Sequence, residues 1–187
     1  YPDGEPVLPE RIRGRPVIAG AACLPDCRAC VAACPTGAIG GTDKALTLDM
    51  GRCLFCADCA AACPEKALQF TREHRLAAWA REDLVLRDPQ PAPQAPADPA
   101  RLSLFRRSLK LRQVSAGGCN ACEADVNVLN TIAFDLGRFG IQIVASPRHA
   151  DGLLITGPVT ENMKLALEKT YRALPPPRIV IAVGACA

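Results

Sequence analysis

The chain has 187 residues, a net charge of +3 and 49% hydrophobic residues, which is enough for one large domain or two small ones. So mild a charge argues against a nucleic-acid partner or an anionic membrane surface, and no apolar run reaches the roughly 18 residues of a membrane span. Cysteine is the outlier, occurring 11 times.

Residues 1–20 are rich in Pro, Gly and Arg (Pro2, Pro6, Pro9, Pro16; Arg11, Arg13, Arg15). They read as an extended arm leading into the first cysteine loop, or as a solvated tail. Cys23 to Pro64 then carries eight of the 11 cysteines. The second half of this stretch spaces them C-x2-C-x2-C-x3-C-P, from Cys53 to Pro64; the first half reads Cys23-x3-Cys27-x2-Cys30-x3-Cys34-Pro35. Cys27, Cys30, Cys34 and Pro35 return as Cys56, Cys59, Cys63 and Pro64, each 29 residues on (27 to 56, 34 to 63). Ala38-Ile39 returns as Ala67-Leu68, so this is an internal repeat. Thiols at metal spacing, with no secretory signal in view, point to metal over disulfides. Zinc wants four ligands in looser pairs. A cubane iron–sulfur cluster explains the spacing better, because a tight loop can cap three irons while the fourth needs a distant thiolate.

Residues 41–50 alternate as a short strand between the halves. From Arg72 to Arg87, Leu76, Trp79, Ala80 and Leu84 fall at helical spacing, predicting a helix that ends before Asp88-Pro89. His74 near its start reads as a surface residue. Residues 88–100, with Pro89, Pro91, Pro93, Pro96 and Pro99, read as a stiff spacer and the domain boundary. The basic stretch 101–112 reads first as a solvated face and second as a dock for an acidic partner.

The second half predicts a strand over 109–114 and a helix over 121–136, with Val126, Leu129, Ala133 and Leu136 on one face and Gly137 as the stop. Strands buried on both faces follow over 141–145, 153–156 and 179–183. Thr160 would cap a helix bearing Met163, Ala166, Leu167, Thr170 and Leu174, ended by Pro175-Pro176-Pro177. Strands alternating with helices imply a doubly wound parallel sheet. Ligands in such sheets sit beyond the carboxyl ends of the strands. Gly117-Gly118-Cys119-Asn120-Ala121-Cys122-Glu123, Gly157-Pro158-Val159-Thr160 and Gly184-Ala185-Cys186 all land there. Cys119-x2-Cys122 reads as a redox pair or, with Cys186, as three ligands of a further cluster. Both ends of the chain read as cut, since it opens at Tyr1 and stops one residue after Cys186; a twelfth cysteine is expected downstream.

Residues 20–70 resemble the bacterial two-cluster ferredoxins, in which the last cysteine of each run serves the other cluster. The resemblance implies one 4Fe–4S cluster on Cys23, Cys27, Cys30 and Cys63, and a second on Cys53, Cys56, Cys59 and Cys34. The extra residue between Cys23 and Cys27 departs from the pattern. Tyr1-Pro2 with Arg11-Ile12-Arg13-Gly14-Arg15 resembles the leading segment of the two-cluster ferredoxin subunits of complex I and its hydrogenase relatives.

Residues 109–187 resemble the small subunit of nickel–iron hydrogenases, particularly the membrane-bound group 4 enzymes such as formate hydrogenlyase, and also the cluster-bearing B subunit of complex I. The matching pieces are Gly118-Cys119-Asn120-Ala121-Cys122-Glu123, Ser146-Pro147-Arg148-His149-Ala150-Asp151, Thr156-Gly157-Pro158-Val159-Thr160 and Val183-Gly184-Ala185-Cys186-Ala187. Complex I relatives carry adjacent cysteines at the first of these, so the C-x2-C leans toward hydrogenase. The resemblance implies a third, proximal cluster on Cys119, Cys122 and Cys186, its fourth ligand in a motif this chain does not contain. It places Arg148 and His149 near that cluster, where a positive or hydrogen-bonding group would raise its potential; as surface residue and loop cap they would do neither. Glu123 would relay protons there, or simply favour its helix N-terminus.

The expected architecture is an arm (1–20), an α+β two-cluster ferredoxin domain (21–87) with a C-terminal helix, a linker (88–100) and an α/β flavodoxin-like parallel-sheet domain (101–187). The expected role is an electron wire to or from a hydrogenase large subunit or a complex I-like catalytic subunit. Quinone reduction belongs to the second partner. Contact with membrane subunits would be indirect, at the inner face of the cytoplasmic membrane, and there is no nucleic-acid partner. No nucleophile–base pair is present, so bond-making chemistry is expected elsewhere. A zinc-binding interaction module and a stand-alone ferredoxin are the competing readings.

Overall fold

The computed structural model describes residues 7–24, 26–42, 45–88, 103 and 108–187. Tyr1 and Pro2, the prolines of the expected spacer, and Arg101, Arg106 and Arg107 of the basic stretch lie outside the described residues. The chain divides into two compact units, Tyr1–Ala95 and Pro96–Ala187.

The first unit repeats one motif of strand, 3-10 turn, short helix and strand. Its first copy holds β1 (Pro16–Ile18), α1 (Ala29–Ala33) and β2 (Ile39–Thr42); its second holds β3 (Ala45–Asp49), α2 (Asp58–Ala62) and β4 (Leu68–Phe70). Strands pair within and across the copies. β2 and β3 form an antiparallel hairpin with Ile39 opposite Leu48, and β1 pairs antiparallel with β4, Pro16 opposite Phe70. Helices of five residues cannot stand alone in water. A core of Cys30, Ile39, Leu46, Leu48, Met50, Cys59, Leu68 and Leu86 holds them, so two of the thiol-bearing residues are themselves core.

The repeat extends to backbone strain. Asp26 (φ 60°) and Phe55 (φ 54°) are left-handed at matching positions, as are Gly37 (φ 58°) and Lys66 (φ 52°). The same turn recurs with and without glycine because the thiol loops demand it, against a cost of about 1–2 kcal/mol for a non-glycine residue.

Two expectations for this unit fail. Residues 41–50 are not one strand but the meeting of β2 and β3, and the alternation of buried Leu46 and Leu48 belongs to β3 alone. The helix expected over 72–87 is absent. Its place is taken by an irregular segment, a 3-10 turn (Arg81–Leu84) and β5 (Val85–Arg87), which pairs antiparallel with β3. Trp79 is 60% exposed, whereas Leu86 is buried opposite Leu48. Helical spacing was accidental, and the free edge of β3 claimed the segment through ladder hydrogen bonds, with Arg81 also bound to Asp49 at 2.5 Å.

The second unit is a four-stranded all-parallel sheet of β6 (Leu109–Ser115), β7 (Ile141–Ile143), β8 (Gly152–Thr156) and β9 (Ile179–Val183), in the order β7-β6-β8-β9. Helix α3 (Ala121–Val128) contributes Val126 to a layer with Leu111 and Leu154. Helix α4 (Glu161–Arg172) sets Met163 and Leu167 against Val114, Leu153 and Leu174. Leu153 and Leu154 point to opposite faces, so the two helices cover opposite sides. Among the described residues, no helix is long and apolar enough to cross a membrane.

Here too details differ from expectation. α3 stops at Val128, so of the face expected over 121–136 only Val126 is buried in it, while Leu129 (37% exposed), Ala133 and Leu136 lie beyond its end. Tighter i−3 bonds end it there, the Leu129 N–H going to the Val126 carbonyl and the Asn130 N–H to the Asn127 carbonyl; Asp135 then turns left-handed (φ 45°) and the Leu136 N–H returns to the Leu129 carbonyl. Only β8 is buried on both faces; β9 alternates, with Val180 51% exposed. Thr160 precedes α4 but its hydroxyl caps nothing; a Cβ on Gly117 (φ 100°) would lie 2.7 Å from that hydroxyl.

Leu48→Ala removes a fully buried side chain of the first core and should cost about 2–5 kcal/mol, read as a lower urea midpoint. Gly157 and Gly37 both have positive φ, but only at Gly157 would a Cβ overlap backbone, 2.6 Å from the Gly118 Cα. Gly37→Ala should therefore cost about 1–2 kcal/mol, and Gly157→Ala about 1–3 kcal/mol more from overpacking. Circular dichroism in urea separates the two.

Candidate functional site

The thiols of the first unit gather in two sets, each drawing on both copies of the repeat. Cys34 from the first copy joins Cys53, Cys56 and Cys59 from the second around one small pocket, lined also by Pro35, Leu48, Leu54 and Phe70. Backbone donors converge on these sulfurs. The Ala38 N–H donates to Cys34 Sγ at 3.2 Å, the Phe55 N–H donates to Cys53 Sγ at 3.3 Å, and the Thr36 hydroxyl lies 3.7 Å from Cys34 Sγ. Burial pushes the Cys59 thiol up to about 11, and the charges of Cys53, Cys34 and Cys56 push the same way. Burial also raises Cys53, with Cys34 and Cys56 adding to it. At Cys34 burial acts upward too, but the Ala38 and Thr36 donors outweigh it and hold the thiol below its ordinary value.

The other set mirrors this arrangement. Burial raises the Cys30 thiol, and Cys23 and Cys63 stand near enough to add to the rise by charge. The Ala67 N–H donates to Cys63 Sγ at 3.2 Å, repeating the Ala38–Cys34 bond 29 residues on. Cys27, half-buried, lies on the same loop, its N–H bonded to the Leu24 carbonyl.

Cys119, Cys122 and Cys186 meet at the carboxyl edge of the parallel sheet. Burial raises the Cys122 thiol, followed by the charges of Glu123, Cys119 and Cys186. Gly184 (φ 102°) lies so close that a Cβ there would overlap the Cys122 sulfur. Gly118 and Gly157 pass backbone to backbone beneath the loop, with room for no Cβ at Gly157. Cys119 and Cys186 are exposed.

Glu123, 7% exposed, sits in the first turn of α3. Its Oε1 accepts hydrogen bonds from Ser115 Oγ at 2.6 Å and Thr156 Oγ1 at 2.8 Å, which hold its carboxyl below the usual range. Its Oε2 is buried without a partner. Ser115 and Thr156 close β6 and β8 and face each other in register, so Glu123 staples the strands at the switch point of the sheet. Arg148 and His149 are exposed on a 3-10 turn (Pro147–His149), and no hydrogen bond or ion pair links either to the three thiols among the described residues. His74 is a surface residue, its side chain 51% exposed.

Other contacts escaped the sequence reading. Ser115 and Thr36 carry no motif, Thr156 was singled out only as part of the Thr156–Thr160 piece and not as a partner of Glu123, and Arg13 and Arg52 act through backbone carbonyls that no spacing predicts. Register alone could have flagged Ser115 and Thr156, each the last residue of its strand.

Among the described residues, no three His, Cys, Asp or Glu side chains are close enough to bind a single metal ion. The sulfurs ring a space instead of converging on a point. Gathered thiols whose charges repel one another, with N–H donors aimed at sulfur, fit a polynuclear cationic centre that takes them as thiolates.

Residues 22–67 match the family described as 4Fe-4S dicluster domain, and residues 119–187 match that of NADH ubiquinone oxidoreductase, 20 Kd subunit. A protein of Pyrococcus furiosus named "Probable membrane-bound hydrogenase subunit" is 45% identical over 43% of this chain and 48% of its own length. Formate hydrogenlyase subunit 7 of Escherichia coli is 44% identical over 46% of this chain and 33% of its own. An NADH-quinone oxidoreductase subunit of Geotalea daltonii is 41% identical over 37% of this chain and 41% of its own. The chain spans half or less of the length of these three relatives. It thus joins in one polypeptide a segment of the 4Fe-4S dicluster type and a segment of the type found in the 20 Kd subunit of NADH ubiquinone oxidoreductase.

Proposed function

We propose that this chain is an iron–sulfur electron-transfer subunit of a multisubunit oxidoreductase of the nickel–iron hydrogenase type. The observation that carries the proposal is the gathering of Cys34 with Cys53, Cys56 and Cys59 around one cavity. In this reading Cys23, Cys27, Cys30 and Cys63 hold one 4Fe–4S cluster, and Cys34, Cys53, Cys56 and Cys59 hold another. Cys119, Cys122 and Cys186 supply three ligands of a third, completed by a fourth from beyond these residues. A bound cluster supplies one-electron storage and transfer. The chain's own groups supply thiolates, direct N–H dipoles at sulfur and keep water from the buried side, which together set the potential.

The flavodoxin-like assignment of the second unit belongs to this reading. It is supported by the strand order, second-first-third-fourth in chain order, which follows the flavodoxin-like series. The three thiols lie at the strand ends where that series binds ligands. Arg148, His149 and Glu123 would adjust the third centre. The C-x2-C at Cys119 and the 45% and 44% identities to hydrogenase and formate hydrogenlyase subunits favour a hydrogenase-type large subunit as partner. The match to the 20 Kd subunit family keeps a complex I-like, quinone-reducing assembly as the second reading. Nickel-binding cysteines on the partner would separate the two. The likeness to a relative named as a membrane-bound hydrogenase subunit supports a place on the cytoplasmic face of the membrane, reached through partner subunits.

The test is anaerobic iron and acid-labile sulfide per chain. About eight irons are expected from the ferredoxin-type sites, at four per cubane, and Cys59→Ser should lose about four of them. A chain continued past Ala187 should gain about four more. A colourless chain with zinc in place of iron, or a Cys59→Ser variant with an undiminished count, would sink the assignment.

A further inference from the structure

The described part of the arm before the first cysteine loop is bound at several points to the segment after β4. The Gly14 N–H donates to the Thr71 carbonyl and the Arg15 N–H to the Glu73 carbonyl, each at 2.7 Å. Thr71 Oγ1 returns a bond to the Arg15 carbonyl at 2.7 Å, and Arg72 reaches the Leu8 carbonyl. Gly14 is buried so tightly that a Cβ would overlap the Glu73 carbonyl. The backbone on either side of Arg13 therefore has little freedom to move.

From this anchored position the Arg13 side chain crosses to the other copy of the repeat. Its Nη1 donates to the Cys56 carbonyl at 2.5 Å and to the Phe55 carbonyl at 3.3 Å. These carbonyls flank Cys56 in a loop where Phe55 (φ 54°) and Ala57 (φ 68°) are both left-handed without being glycine. Such backbone persists only where its surroundings hold it. In a trans peptide the N–H points opposite to the C=O. Two carbonyls drawn toward Arg13 thus turn the Cys56 and Ala57 N–H groups to the far side of the loop, and both residues line the thiol cavity.

We propose that Arg13 is a positioning residue for the centre held by Cys34, Cys53, Cys56 and Cys59, fixing the Cys56 loop and raising that centre's reduction potential above what the loop alone would set. The inference rests on the iron–sulfur reading of those four thiols. Two effects act in the same direction. A guanidinium, charged at every working pH, favours the more negative reduced state, and so do N–H dipoles held on the cavity side. Among the described residues Arg13 donates to carbonyls of the Cys56 loop and to none of the Cys23–Cys30 loop, so its influence falls on one centre of the pair.

The experiment is a redox titration followed by electron paramagnetic resonance on the whole chain, loaded anaerobically, comparing the unaltered protein with Arg13→Gln and Arg13→Lys. One of the two ferredoxin-type midpoints should fall in Arg13→Gln while the other stays, and Arg13→Lys should lie between. Unchanged midpoints, or an equal fall in both, overturn the proposal. If Arg13→Gln does not retain iron, Arg13→Lys decides: a lowered single midpoint supports the role, and an unchanged one ends it. No iron in the unaltered chain would instead defeat the iron–sulfur reading itself.

Discussion

Each set of thiols in the first unit must be drawn from both copies of the repeat, and the unit is organised around that requirement. Cys34 stands among Cys53, Cys56 and Cys59, while Cys63 stands with Cys23 and Cys30. Each copy of the repeat therefore completes the other's site, and neither half can fold away from its twin without breaking both. The strands obey the same exchange, β1 pairing with β4 and β2 with β3. Helices of only five residues are tolerable in this setting because Cys30 and Cys59 are part of the apolar core as well as of the thiol sets.

The second unit solves the same problem by different means. A parallel sheet delivers the ends of β6, β8 and β9 to one edge, and the loops there must pass closely to bring three thiols together. Glycine makes this possible: Gly118 and Gly157 touch backbone to backbone, and Gly184 leaves space for the Cys122 sulfur. Glu123 secures the floor through Ser115 and Thr156. Its other carboxylate oxygen, Oε2, is buried in the same place.

In the first unit the donors aimed at sulfur are mostly main-chain N–H groups. The paired Ala38–Cys34 and Ala67–Cys63 bonds are main-chain donors to sulfur, and such donors are indifferent to side-chain identity.

Cysteine spacing located eight thiols in an internal repeat, and the resemblance to two-cluster ferredoxins implied the crossing of Cys34 and Cys63; the fold gathers Cys34 with Cys53, Cys56 and Cys59, and Cys63 with Cys23 and Cys30. Apolar runs with turn residues likewise located the four parallel strands. The missing helix at 72–87 and the shortened helix at 121–128 were beyond that reading, since an open strand edge and a tightened turn after Val128 override local periodicity. So were Arg13, Arg52, Ser115 and Thr156, whose partners are distant in sequence. Local pattern reports what a segment can be; which carbonyl an arginine meets, and which acid staples two strands, depends on register and packing that exist only once the chain has folded.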